Sequence, residues 1–300
     1  MSAGRKSGTD RKFQKGKSAP KSLAVHVRER PIITLITDFG EGYYVGAMKG
    51  AILDVCSDAN IVDITHNIRS HDVIEASFTL LCTYPYYPSN SIHVVVVDPE
   101  VGSDRRGIVL ATEDHYFVGP DNGVFSFVSK HDPVKRAVSI DSRKYFRKRV
   151  SPTFHGRDIF GPVAAWLTLG AKLDEIGQDV EYYSDTTLVP VQKLGETRVA
   201  GMVIHVDKFG NIVTSISPQD LVDLLGSEGT PKFVVNEQEI TCHYRFYAEA
   251  GRDEIFSLLG SSGYYEIARS RGRAADLLQV ERGSRVELEL VSDWTNPSDT

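Results

Sequence analysis

The sequence of 300 residues has few cysteines and no long hydrophobic run. Cys56, Cys82 and Cys242 are scattered and form neither a C-x-x-C pair nor a zinc pattern, so we expect reduced, partly buried thiols. No segment approaches the roughly 20 uninterrupted apolar residues of a membrane span, and the first residues lack the apolar region of a secretory signal. These absences favour a cytoplasmic location.

Several common catalytic motifs are missing as well. The chain has no phosphate-binding P-loop, and no G-x-G-x-x-G follows the first predicted strand. It also lacks the G-x-S-x-G elbow of serine hydrolases and the H-E-x-x-H of zinc peptidases. These gaps weigh against a nucleoside triphosphatase, a dinucleotide-dependent oxidoreductase and a serine hydrolase.

Positive charge is concentrated at the start of the chain. Residues 1–30 carry nine Lys or Arg and two acidic residues, whereas the whole chain has a net charge of −6. Such a Ser-, Gly- and Lys-rich segment cannot bury enough apolar surface to offset its ordering entropy. We predict a disordered basic tail over residues 1–30. Contact with a nucleic acid or another anionic surface is the less favoured interpretation of it, and a solvated extension the more favoured.

Residues 31–188 are predicted to form an α/β domain with a mostly parallel sheet. Apolar runs typical of buried strands alternate with segments of helical spacing. The predicted order is strand 32–37, helix 43–56, strand 61–65, helix 71–84, strand 92–97, two strands at 107–112 and 115–118, and a helix at 160–169. This alternation is typical of parallel α/β sheets.

Residues 189–300 show a different pattern, which predicts a small β-barrel. Short strand-like segments are separated by Gly, Pro and polar turns. They lie at 199–206, 212–216, 232–235, 239–242, 254–259, 264–268 and 285–290, with one helix at 218–225.

Candidate chemistry begins with carboxylates at the ends of predicted parallel strands, the edge at which α/β sheets bind ligands. Asp38 and Asp98 lie there, and each is suited to bind ribose hydroxyls or a metal; Asp63 is the third, with a structural role equally open. After Asp98 the chain turns and reaches Arg105, whose guanidinium can hold a carboxylate in a bidentate pair. His155 stands beside a glycine at the start of a helix, where it is either a ligand-facing or a structural residue.

Other polar residues carry weaker signals. Asp158 is predicted to be the N-cap of the helix that follows it. Asp207 and Asn211 lie in one predicted turn of the second domain, and Ser261 lies in another. Such side chains suit purine and amino-acid recognition, and they suit turn formation equally well.

Six segments in order carry a resemblance to a known family. They are Thr37-Asp38-Phe39-Gly40, Asp98-Pro99-x-Val101-Gly102, Pro120-Asp121-Asn122-Gly123, Thr153 to Asp158, Phe209-Gly210-Asn211 and Ser261 to Ala275. Across residues 32–292 the chain resembles the S-adenosylmethionine hydroxide adenosyltransferases, relatives of the fluorinases and chlorinases. The resemblance implies an N-terminal α/β domain, a C-terminal β-barrel and a homotrimer. In that trimer each site lies between the N-terminal domain of one subunit and the C-terminal domain of a neighbour.

The resemblance also implies residue roles. Asp98, Arg105 and His155 match a triad that activates water, and Asp38 matches the residue that binds the ribose hydroxyls. The remaining matches lie near the methionine portion or the adenine: Asp207, Asn211, Ser261, Glu266 and Arg269. The implied reaction is hydrolysis of S-adenosyl-L-methionine to adenosine and L-methionine. A sulfonium leaves without acid assistance, so we expect no metal or organic cofactor.

Two departures bear on the branch of the family. Where halogenases typically have Tyr and Ser, the latter cradling halide, this chain has His155 and Gly156, and it has no room for their long insertion. Both points favour water as the nucleophile. Glu100 replaces a usual Gly, and would cost about 1 kcal/mol if its φ were positive. The alternatives are a halogenase, a non-catalytic binder of adenosine or S-adenosylmethionine, and a nucleic-acid protein acting through its tail.

Overall fold

The computed structural model describes residues 32–185, 190–226 and 229–291. The predicted basic tail, residues 1–30, lies outside this part of the chain. The N-terminal region contains β1 (Ile32–Thr37), α1 (Tyr43–Val55), β2 (Asn60–Thr65), α2 (Val73–Leu81), β3 (Ile92–Val96), β4 (Gly107–Ala111), β5 (Tyr116–Pro120), α3 (Ser126–His131), β6 (Arg136–Ser139), a π-helical turn (Gly156–Phe160), α4 (Gly161–Thr168) and α5 (Leu173–Ile176).

Six strands form the first sheet, in the order β2-β1-β3-β5-β4-β6. β2, β1, β3 and β5 pair in parallel, and β4 pairs antiparallel to both of its neighbours. The chain moves from β1 to β2 on one side and returns to place β3 on the other. The carboxyl ends of β1 and β3 therefore meet at a topological switch point, where sheets of this kind bind ligands.

The apolar sequence of β3 is explained by burial on both faces. Val94 and Val96 pack in the core under α1 and α4, whereas Val95 and Val97 pack in the core under α2 and α3. Successive side chains of a strand point to opposite faces, so a strand covered on both sides carries apolar residues on both faces. The predicted α/β domain with a mostly parallel sheet is confirmed.

The C-terminal region is a nearly closed antiparallel barrel, as predicted. Its elements are β7 (Gln192–Lys193), β8 (Arg198–Val206), β9 (Ile212–Thr214), α6 (Pro218–Leu225), β10 (Thr230–Val235), β11 (Gln238–Ile240), β12 (Ile255–Leu259), β13 (Tyr265–Arg269), α7 (Ala274–Leu278) and β14 (Arg285–Val291). The strand order is β11-β10-β14-β8-β9-β13-β12, with β7 beside β8. Backbone hydrogen bonds from Tyr244 to Ser257 and from Ser257 to Cys242 join the chain beyond β11 to β12.

The two regions pack against each other within one chain. Tyr264, which precedes β13, lies in the same core as Phe78 and Phe127 of α2 and α3, with ring centroids 6.4 and 5.9 Å away. His131 Nε2 lies 2.8 Å from the Tyr264 hydroxyl, and Lys130 pairs with Asp220 at 3.2 Å. The apolar contact gives this interface a core, and the polar contacts lie at its edge.

The sequence pattern did not predict α3, β6 and α7, each of six residues or fewer. Cys56, Cys82 and Cys242 are unpaired thiols, buried or half-buried as expected, and burial raises the pKa of Cys82 to about 12. Among the described residues, no helix has the length and apolarity to span a membrane.

Candidate active site

The site begins where β1 and β3 end. Asp38 follows β1 directly, and its Oδ2 accepts a hydrogen bond from the His71 backbone N–H at 3.0 Å. The preceding Thr37 is fixed by His66, with Oγ1 and Nδ1 2.9 Å apart. Asp98 lies two residues beyond β3. Parallel pairing of the two strands thus brings both predicted carboxylates to one edge of the sheet.

Asp98 and Arg105 form a two-pronged ion pair. Arg105 Nε donates to Asp98 Oδ1 at 2.9 Å, and Arg105 Nη2 donates to Oδ2. The side chains are only 5% and 7% exposed. A buried guanidinium fork fixes the carboxylate in position and supplies the countercharge that an ionised carboxylate requires there.

His155 is joined to the same arginine. Arg105 Nη2 lies 2.9 Å from His155 Nδ1. Because a guanidinium only donates, Nδ1 is the acceptor, and the neutral ring then carries its proton on Nε2. Burial, and secondly the charge of Arg105, lower the pKa of His155. The three predicted residues therefore form one connected group, with a neutral imidazole that has an N–H to donate.

Two loops carry this group. The first, between β3 and β4, carries Asp98 and Arg105, and the second, before the π-helical turn, carries His155; the two loops contact each other. Gly102, with φ of 87°, lies so close to the Pro152 carbonyl oxygen that an added Cβ would be 2.6 Å from it. The Arg105 guanidinium also lies 5.2 Å from the centre of the Phe160 ring. The residue that must adopt a positive φ in the first loop is thus Gly102.

Asp158 does not cap the helix, contrary to the sequence prediction. It lies inside the π-helical turn, with His155 at the N-cap position. Its Oδ2 accepts from the Ser151 backbone N–H at 2.8 Å, and both oxygens accept from Arg157 at 2.7 Å. The sequence cannot show that the carboxylate reaches back past the cap. Asp158 fixes the loop that carries His155. Burial raises the pKa of Asp158, but the hydrogen bonds from Arg157 and from the Ser151 N–H outweigh burial and leave that pKa lowered.

Asn122 supports the site, although the sequence pattern indicated no role for this residue. Its Nδ2 donates to the Val97 carbonyl at 2.9 Å, directly before Asp98, and its Oδ1 accepts from the Val124 N–H at 3.2 Å. The neighbouring Asp121 accepts a hydrogen bond from the Ser184 N–H at 2.6 Å. The Pro120–Gly123 motif was the available signal, but its spacing gives no indication of these partners.

Gly156 is closely packed beside His155. An added Cβ would lie 3.2 Å from Val96 and 3.3 Å from Phe39. A serine here would require both side chains to shift by a few tenths of an ångström, so this packing disfavours a halide-cradling hydroxyl. Glu100 is exposed, and its φ is not positive. The condition for strain at that position is therefore not met.

Aromatic rings lie beside the carboxylate edge. Phe39 meets Phe154 edge to face at 5.5 Å, Tyr44 meets Phe154 at 5.2 Å, and Tyr43 stacks on Tyr44 at 4.2 Å. The two tyrosines are 73% and 41% exposed. Exposed flat rings at the first residues of α1 offer an apolar surface next to Asp38.

Four of the predicted C-terminal residues lie near one another. Asp207 closes the β8–β9 turn, because its Oδ1 accepts from the backbone of Phe209 and Asn211 at 2.8 and 2.9 Å, and its Oδ2 accepts from the Asn211 amide at 3.0 Å. Asp207, Asn211 and Arg269 line one cleft together with Tyr247. The Tyr247 hydroxyl donates to Glu266 at 2.8 Å, and burial raises the pKa of Glu266.

Ser261 lies apart from that cleft. It lines a smaller cavity of about 210 Å³ between the two regions, with Cys82 and His131. The neighbouring Ser262 hydroxyl is buried and has no hydrogen-bond partner in the described part of the chain. No hydrogen bond or ion pair between described residues connects Ser261 or the C-terminal cleft with Asp98, Arg105 and His155.

The arrangement matches two consecutive domains of a known family. Residues 33–177 match the N-terminal domain of the S-adenosylmethionine hydroxide adenosyltransferases, and residues 201–287 match the C-terminal domain. The chain belongs to this family. The first match covers the sheet with Asp38, Asp98, Arg105 and His155, and the second covers most of the barrel.

Named relatives agree with this membership. A protein of Methanocaldococcus jannaschii named (R)-S-adenosyl-L-methionine hydrolase is 37% identical over 269 residues, which are 86% of this chain and 95% of that protein. One of the same name from Salinispora tropica is 35% identical over 262 residues, 86% and 97% of the two chains. A fluorinase of Nocardia brasiliensis is 24% identical over 295 residues, 87% and 97%.

A solved structure shares the fold. A conserved protein of Thermotoga maritima superimposes with a TM-score of 0.78 at 34% identity, covering 86% of this chain and 99% of that one. The resemblance inferred from the six motifs is thereby confirmed. The roles of individual site residues stay predictions.

Proposed function

We propose that this protein hydrolyses S-adenosyl-L-methionine to adenosine and L-methionine by attack of water on the ribose C5′ atom. The observation that carries this proposal is the connected group of Asp98, Arg105 and His155 at the switch point of the sheet. The names of the relatives that share 31–37% of their residues with this chain support the substrate.

The reaction needs little beyond a well-placed nucleophile. The water oxygen forms a bond to C5′ while the C5′–S bond breaks, and sulfur retains the electron pair as the neutral thioether of methionine. Because the sulfonium is positively charged, no acid has to protonate the leaving group. Holding the water in line with the breaking bond can contribute several kcal/mol. The reaction itself requires no metal or organic cofactor, and full activity in excess EDTA would support that expectation.

The tautomer of His155 indicates a separate role for each of the three residues. Its Nε2–H donates to the water oxygen and orients a lone pair toward C5′, while Nδ1 remains bound to Arg105. Asp98 receives the proton that the water loses. Each of its oxygens has two lone pairs and uses one for Arg105, so an acceptor position remains.

The other assignments follow the family positions. Asp38 binds the ribose hydroxyls at the edge of the sheet. Asp207 and Asn211 lie near the methionine part and the adenine, and the stretch with Ser261, Glu266 and Arg269 approaches the methionine carboxylate and the adenine edge. We further propose a homotrimer in which the C-terminal cleft of a neighbouring subunit completes each site. The separation of the two groups of residues within one chain supports this arrangement.

The decisive experiment is incubation with S-adenosyl-L-methionine, with and without excess chloride, followed by identification of the nucleoside product. Adenosine in both reactions, with oxygen from ¹⁸O-labelled water, is expected. A halogenated nucleoside as the main product would reject water as the nucleophile. A protein that binds the compound and never turns it over would reject the enzyme. Sedimentation analysis tests the trimer separately.

A further inference from the structure

The cleft in the C-terminal region carries far more positive charge than the chain as a whole. Its volume is about 720 Å³, and its charged lining residues are Lys208, Arg269, Arg271, Arg273 and one carboxylate, Asp207. The whole chain, in contrast, has a net charge of −6. A cleft lined by one sign of charge concentrates ligands of the opposite sign.

Arg271 is the cation best placed to meet a ligand. It is exposed, and it sits at φ of 57° in the tight turn after β13. The turn is closed by a hydrogen bond from Gly272 N–H to the Arg269 carbonyl at 3.3 Å. The Arg271 side chain makes no hydrogen bond or ion pair with any residue that the structure describes. All of its N–H donors are therefore open to solvent or to a ligand.

The other two arginines are held in place and keep donors to spare. Arg273 donates from Nε to Asp276 at 3.0 Å and from Nη1 to the Lys208 carbonyl at 2.6 Å. Arg269 uses its Nε in a bond of 3.4 Å to the Asp253 carbonyl. Because a guanidinium has five N–H groups, these contacts orient the two side chains without using up their donors.

Nearby carboxylates cancel only part of this charge. Both oxygens of Asp207 accept hydrogen bonds from the β8–β9 turn, and Asp276 is paired with Arg273. Glu266 is half-buried, and burial raises its pKa, which favours the neutral form of the carboxyl group. An excess of positive charge remains at the mouth of the cleft.

The same cleft presents two aromatic faces. Phe209 is 63% exposed and Tyr247 is 49% exposed. The hydrogen bond to Glu266 holds the Tyr247 hydroxyl, and Lys208 Nζ lies 4.9 Å from the centre of the Phe209 ring. Flat exposed rings beside cations are the combination on which a nucleobase stacks while its phosphates are neutralised.

The proposed substrate, to which we assign Arg269, accounts for only part of this positive charge. S-adenosylmethionine carries a sulfonium and an ammonium against one carboxylate, and adenosine is neutral, so both lack the negative charge that the cleft favours. Guanidinium groups match phosphate oxygens in geometry and charge. We propose that this cleft binds a nucleoside phosphate, an adenine nucleotide in particular, which competes with the substrate for the site. The competition rests on the proposed function, because it takes the cleft as the place of the substrate's nucleoside.

The test is calorimetric titration of the full-length protein with adenosine, AMP, ATP and tripolyphosphate at two salt concentrations. ATP should bind at least about tenfold more tightly than adenosine, because hydrogen bonds between guanidinium groups and phosphate oxygens are charge-assisted, and added salt should weaken ATP binding. Arg271→Asn, which tolerates a positive φ, should lose most of that difference and leave adenosine binding unchanged. Arg285→Asn, an exposed arginine of β14 outside the cleft, is the matched control.

Three results would overturn this inference. They are ATP binding no tighter than adenosine, ATP binding that Arg271→Asn leaves intact, and an oligoadenylate binding more tightly than ATP, which would indicate a nucleic-acid site. Turnover of S-adenosylmethionine without nucleotide is measured in parallel. If turnover is normal and ATP does not bind, only the nucleotide inference fails. If ATP binds and turnover is absent, the hydrolase proposal and the competition fail, and the nucleotide site itself stands.

Discussion

The two groups of candidate residues differ in how completely one chain builds them. Asp98, Arg105 and His155 are buried or half-buried, interlocked by hydrogen bonds, and supported by loops on one sheet edge. The C-terminal cleft has a turn closed by Asp207, but its aromatic rings are exposed and Arg271 pairs with no residue in the described part of the chain. We infer that the proposed reacting group is preorganised, whereas the proposed recognition surface would be completed by a ligand or, in the proposed trimer, by a neighbouring subunit.

The largest effect is expected from Asp98. Replacing it by Ala removes the proton acceptor and leaves the Arg105 guanidinium unpaired, so we expect kcat to fall by about 100-fold or more with little change in substrate binding. Steady-state kinetics and equilibrium dialysis check the two parts. Glu100→Ala, two residues further along and exposed, should stay within about twofold of wild type. Unchanged turnover in the Asp98 variant would mean that Asp98, Arg105 and His155 are not the reacting group.

Asn122→Ala tests whether preorganisation depends on residues outside the group. Loss of the bond to the Val97 carbonyl should let Asp98 shift, and we expect kcat to fall about tenfold with KM nearly unchanged. The matched variant is Asn236→Ala, whose amide also donates to backbone carbonyls, of Leu278 and Gln279, but in the barrel. Both variants should lose stability, and only the first should lose kcat. Equal kinetics in the two variants would mean that Asn122 has no positioning role.

Asp207 tests the other side of the comparison. Asp207→Ala should loosen the β8–β9 turn by removing the acceptor for Phe209 and Asn211. We expect KM to rise about fivefold, the equivalent of one hydrogen bond of about 1 kcal/mol, with kcat preserved. A variant that lost kcat and kept KM would place Asp207 with the reacting group instead.

The smallest effect concerns pH. The pKa of His155 is lowered by burial and by Arg105, so the ring is protonated only below its ordinary value of about 6.5. The neutral form, which we assign as the active one, is then fully present above that pH and is lost as pH falls through the lowered value. Activity should change less than about twofold between pH 8 and 6.5, and a His155→Asn variant should lack the acid decline. A decline with a midpoint above pH 7 would contradict the assignment.

Much of the fold was predictable because the buried positions of helices and strands recur at a regular spacing, which appears in the sequence as a periodic pattern of apolar residues. The apolar run from Val94 to Val97 required a strand covered on both faces, and Pro218–Leu225 was predicted to its observed bounds. β6 was missed because its four residues are too few for a period to show. α3 was missed for the same reason, and one of its backbone amides, that of Phe127, is held by the Ser77 hydroxyl from another helix.

The site was less predictable, since its contacts join distant positions. Asp98 at a sheet edge followed from the pattern, but His155 lies 50 positions from Arg105, and only the family resemblance joined them. The sequence suggested a cap for Asp158, because the spacing does not show that the carboxylate bonds to the Ser151 amide. The partners of Asn122 could not be predicted either, because they are backbone groups, which every residue has whatever its side chain.

The adjacent pair Asp121 and Asn122 has a consequence for how the molecule unfolds. One residue holds the chain at Ser184, between the two regions, and the next holds the end of β3. Opening of that connecting segment therefore strains the strand that carries Asp98, and the two should open as one cooperative unit. In native-state hydrogen exchange, the Ser184 amide should share the opening free energy of the central strand, although it lies in a segment without regular secondary structure.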